Sequence, residues 1–304
     1  MGDAFKRLWQ SDLAWSWRHS YIAILSTVIF VMMMVASFGA PLIAPHNPFD
    51  LATLNLLDAL KPPAWNVDGQ ALYPLGTDSQ GRDLLSAMMY GMRVSLLIGI
   101  ASVALSMLVG VVLGLLAGYA GGRTDAFIMR VADVQLSFPA ILIALLIDGV
   151  ARAVVPREMH ELIAIPVLIG AIALAGWPQY ARTVRGSTMV EKNREYVQAA
   201  RVIGISSPVI MFRHVLPNVM GPVLVLATVH LATAIITEAT LSFLGVGVPP
   251  TEPSLGTLIR IGNDFLFSGE WWITIFPGLA LVLLVLSVNL LGDWLRDALN
   301  PRLS

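Results

Sequence analysis

Few residues in this chain are of a type and spacing that could carry chemistry. The three lysines, Lys6, Lys61 and Lys192, follow phenylalanine, leucine and glutamate. A phosphate-binding loop needs glycine directly before its lysine, so none of the three can complete one. The sequence also lacks HExxH and GxSxG motifs, cysteine, and any histidine and carboxylate cluster spaced for a metal. We therefore predict that the chain is not an enzyme and binds no ATP, metal or other cofactor itself.

Two ionisable residues stand inside a long apolar segment. Glu238 and His230 both lie between residues 219 and 244. Charged groups in such segments are costly and face a cavity or a bonded partner. Two interpretations follow for each residue, a position along a solute pathway or a hydrogen bond to a neighbouring helix.

A charged cluster lies between the first two long apolar segments. Asp78, Arg82 and Asp83 are a few residues apart, so they can form an ion-pair network that fixes this region against the helix that follows. The alternative is direct contact with a solute or with an external protein.

The composition shows which kind of element must position these residues. Of 304 residues, 56% are hydrophobic and only 13% are charged, whereas soluble domains carry about 25% charged residues. The net charge of -1 also argues against a nucleic-acid partner. These values predict a single polytopic domain embedded in a lipid bilayer.

Six apolar segments approach the ~20 residues that a membrane-spanning helix needs. They are predicted at 21–44, 94–117, 134–147, 162–177, 219–244 and 272–291. A cleaved signal peptide is the alternative for the first segment, but its apolar stretch exceeds the ~7–15 residues of a signal core. We therefore predict an all-α protein with about six transmembrane helices.

The basic residues predict the orientation of the spans. If both termini are cytoplasmic, thirteen of the nineteen lysine and arginine residues lie on the cytoplasmic side, as the positive-inside tendency requires. This arrangement makes 1–20 a cytoplasmic segment, 21–44 the first span, 45–93 an external cap and 94–304 a five-helix core. Residues 179–217 then form a long cytoplasmic loop within that core.

The cytoplasmic loop has the pattern of two short helices joined by a bend. Gly204 can end the first helix with a positive φ, and Ser207 and Pro208 can start the second as N-cap and first helical residue. Ala199 and Ala200 place small side chains on an otherwise charged helix. This pattern favours close contact with another protein over a solvated surface.

One face of the second span carries only small side chains at every fourth position. These residues are Ser102, Ser106, Gly110, Gly114 and Gly118. Small residues at this spacing let two membrane helices approach closely. A glycine-lined solute pathway is the functional alternative.

Several motifs together resemble a known family. Gln198, Ala199, Ala200, Gly204, Leu216 and Pro217 are similar to the EAA loop of ABC importer permeases, with Gln198 in place of the usual glutamate. The stretches LGTDSQGRD at 75–83, LSFLGVG at 241–247 and NLLGDWLRDALNP at 289–301 resemble those of dipeptide and oligopeptide permeases of the C type. The first of these contains Gly76, Thr77, Asp78, Gly81, Arg82 and Asp83.

The resemblance implies a type I importer fold like that of the methionine permease. It implies a bacterial inner-membrane complex with a paralogous permease, two ATPase subunits that hold ATP and Mg²⁺, and an external solute-binding protein. The loop around Glu195, Gln198, Ala199, Ala200 and Arg201 would then transmit ATP-driven motion to the spans.

Two other functions and several solutes remain as alternatives. A gradient-driven carrier would favour inverted repeats with ionisable residues at the bilayer midplane, and a membrane enzyme would need a catalytic cluster. Relatives in the resembled family carry peptides, glutathione, nickel chelates, opines or sugars, so the resemblance leaves the solute open.

Overall fold

The computed structural model describes residues 12–50 and 54–299. In these ranges every regular secondary-structure element is a helix. Residues 1–11 of the predicted cytoplasmic segment, and Asn300 and Pro301 of the closing motif, lie outside the described ranges. Among the described residues, five helices are long and apolar enough to cross a membrane, and a bent helix pair makes a sixth if the pair counts as one span. The prediction of an all-α protein with about six spans is confirmed.

The first span is interrupted near its end. Helix α1 (Asp12–Arg18) precedes α2 (Tyr21–Phe38), whose N-cap hydroxyl, Ser20 Oγ, accepts a hydrogen bond from the Ala23 amide at 3.2 Å. The short helix α3 (Ala40–Ile43) follows after Gly39. The segment predicted at 21–44 is therefore two helical pieces.

The helix that contains the second predicted span is much longer than that span. Helix α4 (Leu84–Ala120) contains 37 residues, about 56 Å at ~1.5 Å per residue. The helix begins at Leu84, ten residues before the predicted start of the span at Val94, because Asp83 caps it there. Residues 84–93, predicted as the end of the cap segment, are therefore the first turns of α4.

The order of contacts shows that α4 and α7 (His160–Glu191) run parallel. Gly110 of α4 lies against Trp177 and Tyr180, and Gly118 lies against Arg185 and Thr188. Both helices therefore run from the end of the molecule near Leu84, here called the cap end, to the opposite end. Two parallel neighbours require the chain between them to cross back.

That return crossing is broken in the middle. Helices α5 (Gly122–Leu136) and α6 (Ala140–Val154) meet at an angle of 90°. The predicted continuous span at 134–147 is wrong, since proline has no amide hydrogen and disfavours helix at the residue before it, here Phe138. Pro139 stands at the N-cap of α6.

A glutamine side chain fixes α5 to α7 beside this break. Pro178 lies inside α7 and cannot bond the carbonyl of Leu174. Gln135 Nε2 donates to that carbonyl instead, and Gln135 Oε1 accepts from Trp177 Nε1 at 2.8 Å. The Gln135 amide therefore compensates for the proline and pins the broken crossing.

Most of the segment predicted as a cytoplasmic loop at 179–217 is helical, as part of longer helices than predicted. Helix α7 continues to Glu191, α8 (Glu195–Val202) follows, and α9 (Ser207–Phe243) runs without a gap into the fifth span. The predicted second short helix is therefore the start of α9. Ser206, not Ser207, occupies its N-cap position.

A turn of π-helix lies within α9 at Ile210–Val215. It comes just before Pro217, which has no amide hydrogen for the carbonyl of Arg213. The wider turn keeps the helix continuous past the proline.

The last two helices close the cap end. Helix α10 (Leu255–Asn263) and α11 (Trp272–Ala298) follow α9. Leu255 of α10 is fully buried in an apolar cluster with Leu96, Ile235 and Leu284 from three long helices. This cluster joins α4, α9 and α11 below the cap.

Candidate functional site

The hairpin segment, defined as residues 192–206, protrudes at the end opposite the cap. Helix α8 ends before Gly204, which has a φ of +82°. A side chain added at Gly204 would meet nothing within 4 Å, so the positive φ and not crowding favours glycine here. Val202 and Ile203, beside this bend, are 86% and 74% exposed. The hairpin segment therefore presents apolar side chains at an exposed tip.

The structure divides the predicted loop residues between the surface and the core. Exposed residues are Glu195, Gln198, Ala199, Arg201, Gly204 and Pro217, and Leu216 is half-buried. Ala200 is only 5% exposed and packs with Val197, Ile210 and Val215. The interpretation of Ala200 as a partner-facing residue is therefore wrong, because it faces α9.

Tyr196 joins three elements at the base of the hairpin segment. Its hydroxyl donates to Glu191 Oε1 at 2.6 Å and accepts from Asn218 Nδ2 at 2.9 Å. Burial and the Glu191 carboxylate raise the pKa of Tyr196 to about 12. The phenol is therefore a neutral donor at physiological pH, and it ties α8 to the end of α7 and to α9.

Two cations join the same segment to the end of α4. The Arg201 guanidinium lies 5.1 Å from the centre of the Tyr119 ring, and Lys192 Nζ donates to the Gly118 carbonyl at 2.6 Å. Cations at the carboxyl end of a helix satisfy its last carbonyls. These two contacts join the hairpin segment to α4.

The cap contains a buried ion pair. Arg82 Nε lies 2.6 Å from Asp78 Oδ2, and the two side chains are 3% and 0% exposed. Arg82 Nη1 also donates to the Pro250 carbonyl at 3.4 Å. This pair links the cap to the loop between α9 and α10.

Three residues near this ion pair shape the backbone turns of the cap motif. Gly76 and Gly81 have φ values of +83° and +77°, and an added Cβ would lie 2.5 Å from the carbonyl oxygens of Lys61 and Asn55. The Thr77 carbonyl accepts from Trp272 Nε1 at 3.2 Å. The motif therefore forms tight turns that dock on the start of α11.

Asp83 has a different role from the one that the sequence pattern predicts. Its Oδ2 accepts from the Ser86 amide at 2.8 Å and from the Ser86 hydroxyl at 2.5 Å. Asp83 is therefore the N-cap of α4 and not a partner of Arg82, because it precedes the first turn and its oxygen reaches the free amides there. The spacing Asp-x-x-Ser was the available signal.

Glu238 is bonded on both oxygens inside the protein. It is fully buried, and it accepts from Ser95 Oγ and Ser242 Oγ, each at 2.7 Å. Ser95 Oγ also accepts from the Leu255 amide at 3.3 Å. Glu238 therefore lies where α4, α9 and α10 meet. Of the two interpretations of Glu238, a position on a solute pathway or a hydrogen bond to a neighbouring helix, the structure shows the hydrogen bond. Ser95 gave no sequence signal of its own.

The predicted small-residue face of α4 lies against α7. A Cβ built at Gly110 would be 2.4 Å from Tyr180 Cβ, one at Gly114 2.6 Å from the Ala181 carbonyl, and one at Gly118 2.7 Å from Thr188 Cβ. Ser106 Oγ donates to the Ala173 carbonyl at 3.0 Å. This face therefore packs against protein and does not line an open channel.

His230 is bonded at one nitrogen. Nδ1 lies 3.1 Å from the Tyr180 hydroxyl, and the side chain is 7% exposed. Among the residues that the structure describes, no group of three histidine or carboxylate side chains could hold a metal ion.

Residues 110–304 match the family described as "Binding-protein-dependent transport system inner membrane component". The chain is 40% identical to the di/tripeptide transport system permease protein DppC of Pseudomonas aeruginosa, over 98% of this chain and 92% of that protein. It is 36% identical to the oligopeptide transport system permease protein OppC of Bacillus subtilis, over 97% and 90% of the two chains.

A solved structure shows the same fold. The chain superposes on an inward-facing structure of the MetNI methionine ABC transporter with a TM-score of 0.55 and 21% identity. The match covers 70% of this chain and 96% of that chain. The prediction of a type I importer permease fold is confirmed.

Proposed function

Because this chain belongs to the binding-protein-dependent transport system inner membrane components, we propose that it is one of two permease subunits that import dipeptides or oligopeptides. The solute is proposed from the two similar peptide permeases. The partners would be a paralogous permease, two ATPase subunits with their ATP and Mg²⁺, and an external solute-binding protein. Both termini and the hairpin segment would be cytoplasmic.

One observation carries the coupling part of this proposal. The exposed tip of the hairpin segment holds Gln198, Ala199, Val202 and Ile203 in a chain whose other end is closed by a folded cap. Exposed apolar side chains beside small ones are typical of a protein contact. The ATPase would bind this tip, and its movement would reach α4 through Arg201 and Lys192.

Replacing Gly204 by valine tests the contact. A β-branched side chain at positive φ costs roughly 1–3 kcal/mol, and it projects from the exposed bend of the hairpin segment. We expect Gly204→Val to weaken ATPase binding and to abolish vanadate-sensitive dipeptide uptake. Co-purification of the ATPase subunits and uptake into proteoliposomes are the measurements.

Gly269→Val is the matched control, because Gly269 also has a positive φ of +109° and nothing within 4 Å, but lies before α11 at the cap end. It should leave the ATPase bound. Equal losses in both variants would contradict the proposed contact, and uptake abolished by an ionophore at constant ATP would instead favour a gradient-driven carrier.

A further inference from the structure

A small cavity with a partly polar lining lies at mid-depth among the long helices. Its volume is about 70 Å³, and its polar lining consists of Gln179, His230, Thr233 and Thr237. His230 lies near the middle of the fifth span, 13 residues before the end of α9, which is about 20 Å at ~1.5 Å per residue. Ala140, the first residue of α6 after the break, completes one wall. We call this cavity the midplane niche.

The tautomer of His230 is set by its neighbour. The Tyr180 side chain is fully buried, and among the described residues His230 Nδ1 is the acceptor that its hydroxyl reaches, at 3.1 Å. Buried tyrosine hydroxyls need an acceptor, so Nδ1 accepts and the proton of the neutral ring is on Nε2. The ring edge with Nε2 lies beside Gly176, another lining residue. His230 therefore offers an N–H donor to the niche.

The two threonines offer hydrogen-bond acceptors to the niche. Thr233 Oγ1 donates to the Val229 carbonyl at 3.2 Å, and Thr237 Oγ1 donates to the Thr233 carbonyl at 2.8 Å. Their hydroxyl protons are used within α9, so their oxygens present lone pairs. Gln179 is exposed and carries both a donor and an acceptor.

The polar part of the niche lining is uncharged. None of its described lining residues is an aspartate, glutamate, lysine or arginine. An exposed side-chain amide such as that of Gln179 does not face lipid, because unpaired hydrogen-bonding groups are costly in hydrocarbon. An uncharged set of donors and acceptors matches an amide better than a charged group.

We propose that the midplane niche is a station on the solute pathway that hydrogen-bonds the main-chain amide of a passing peptide. His230 Nε2 and the Gln179 amide donate to its carbonyl, and Thr233 and Thr237 accept from its N–H. This inference rests on the proposed function. It explains how a permease can pass peptides of different sequence, since the contacts ignore the side chains.

Transport by the reconstituted four-component complex tests the station. Thr237→Val and Gln179→Leu should each lower the number of radiolabelled Ala-Ala molecules imported per ATP hydrolysed by about five-fold, the effect of one lost hydrogen bond. Thr240→Val is the matched control, because Thr240 also bonds its own helix, at 2.8 Å to the Ile236 carbonyl, but is not among the described lining residues. It should leave the ratio unchanged.

A purely structural role predicts a different result. It would lower the amount of complex and its ATPase activity together with uptake, and the ratio would stay constant. The reduction should also be equal for Ala-Ala, Ala-Glu and Ala-Lys. A constant ratio, or a reduction that depends on the charge of the side chain, would overturn the inference.

A second test is independent of the solute. The chain contains no cysteine, so Thr237→Cys introduces its only thiol. We expect a small hydrophilic thiosulfonate to modify it in the assembled complex, and added Ala-Ala with its binding protein to slow the modification. Leu108→Cys, an exposed apolar position of α4 close to the depth of Ser106, should stay unmodified.

The two tests separate the two proposals. An unmodified Thr237→Cys would contradict the niche even if the complex carries peptides. If Thr237→Cys is modified normally but the complex carries no dipeptide, the proposed solute would be wrong. The assignment of the peptide amide as the bound group would then be wrong as well.

Discussion

At the residue scale, the polar side chains inside this membrane protein mostly bond to each other. Glu238 is held by two serines, Asp78 by Arg82, and Gln135 by a tryptophan and a freed carbonyl. Such groups are expensive to bury singly and stable when paired. Mutations that remove one of these side chains should therefore lower the stability and the assembly of the complex before they affect transport.

Asp78→Ala should destabilise the protein strongly, because it leaves the buried Arg82 without its partner. Removing one member of a buried ion pair costs about 3–5 kcal/mol. Asp148→Ala is the matched control, since Asp148 and Arg152 have the same spacing and distance, 2.6 Å, but the arginine is 42% exposed. That change should cost about 0–1 kcal/mol. Thermal unfolding of the purified complex measures both, and equal losses would show that burial does not matter here.

Glu238→Ala should reduce the thermal stability of the complex by roughly 2–5 kcal/mol, through a cavity and two unsatisfied serines. Glu238→Gln should lower the stability less, since glutamine has a similar side-chain volume. A serine hydroxyl can also rotate to accept a hydrogen bond from the glutamine amide instead of donating one. A pathway role predicts another outcome, namely a complex of normal stability and abundance whose uptake is impaired. Thermal unfolding and uptake measured on the same preparation distinguish the two.

At the element scale, the contact between α4 and α7 defines the core. Three glycines of α4 let α7 approach so closely that any Cβ would overlap a carbonyl or a side chain. Dispersion over such a close contact replaces the hydrophobic driving force that lipid does not supply. The parallel arrangement of these helices also forces the broken crossing between them.

Gly110→Ala should separate α4 from α7 at a cost of about 1–3 kcal/mol, the usual effect of overpacking. Gly170→Ala in α7 is the control, because a Cβ there meets nothing within 4 Å. It should be neutral or slightly stabilising through helix propensity. Comparison of the temperatures at which the two variants aggregate in detergent measures the difference, and an equally stable Gly110→Ala would contradict the packing.

The elements also show what the sequence could and could not predict. The length of the apolar segments identified the spans. Small residues at every fourth position identified a packing face, and Gly204 identified the bend. Periodicity could not locate the start of α4, because Leu84 to Arg93 is helical outside the apolar stretch and depends on the cap of Asp83. It also could not separate Ala199 from Ala200, since only the position of α9 decides which of the two is buried.

The break at Pro139 illustrates a different limit. Proline was visible in the sequence, but the 90° angle was not, and Gln135, which bonds α5 to α7 beside the bend, has partners about forty residues later in the chain. Tertiary contacts of this kind leave no local pattern.

At the scale of the whole molecule, the subunit has two differently built ends. The cap end is closed by the Asp78–Arg82 pair, the Trp272 bond and the Leu255 cluster. The opposite end carries the exposed hairpin segment, tied to α4, α7 and α9 through side-chain contacts. This asymmetry suits a protein that is moved from one side of the membrane and sealed on the other.

We propose above all that the hairpin segment is cytoplasmic and bound there by an ATPase subunit. Gln198→Cys, in this cysteine-free chain, tests it with a membrane-impermeant maleimide. We expect no modification in intact spheroplasts, modification in inverted vesicles stripped of ATPase, and protection when the ATPase is added back. Modification from outside intact spheroplasts would contradict the account.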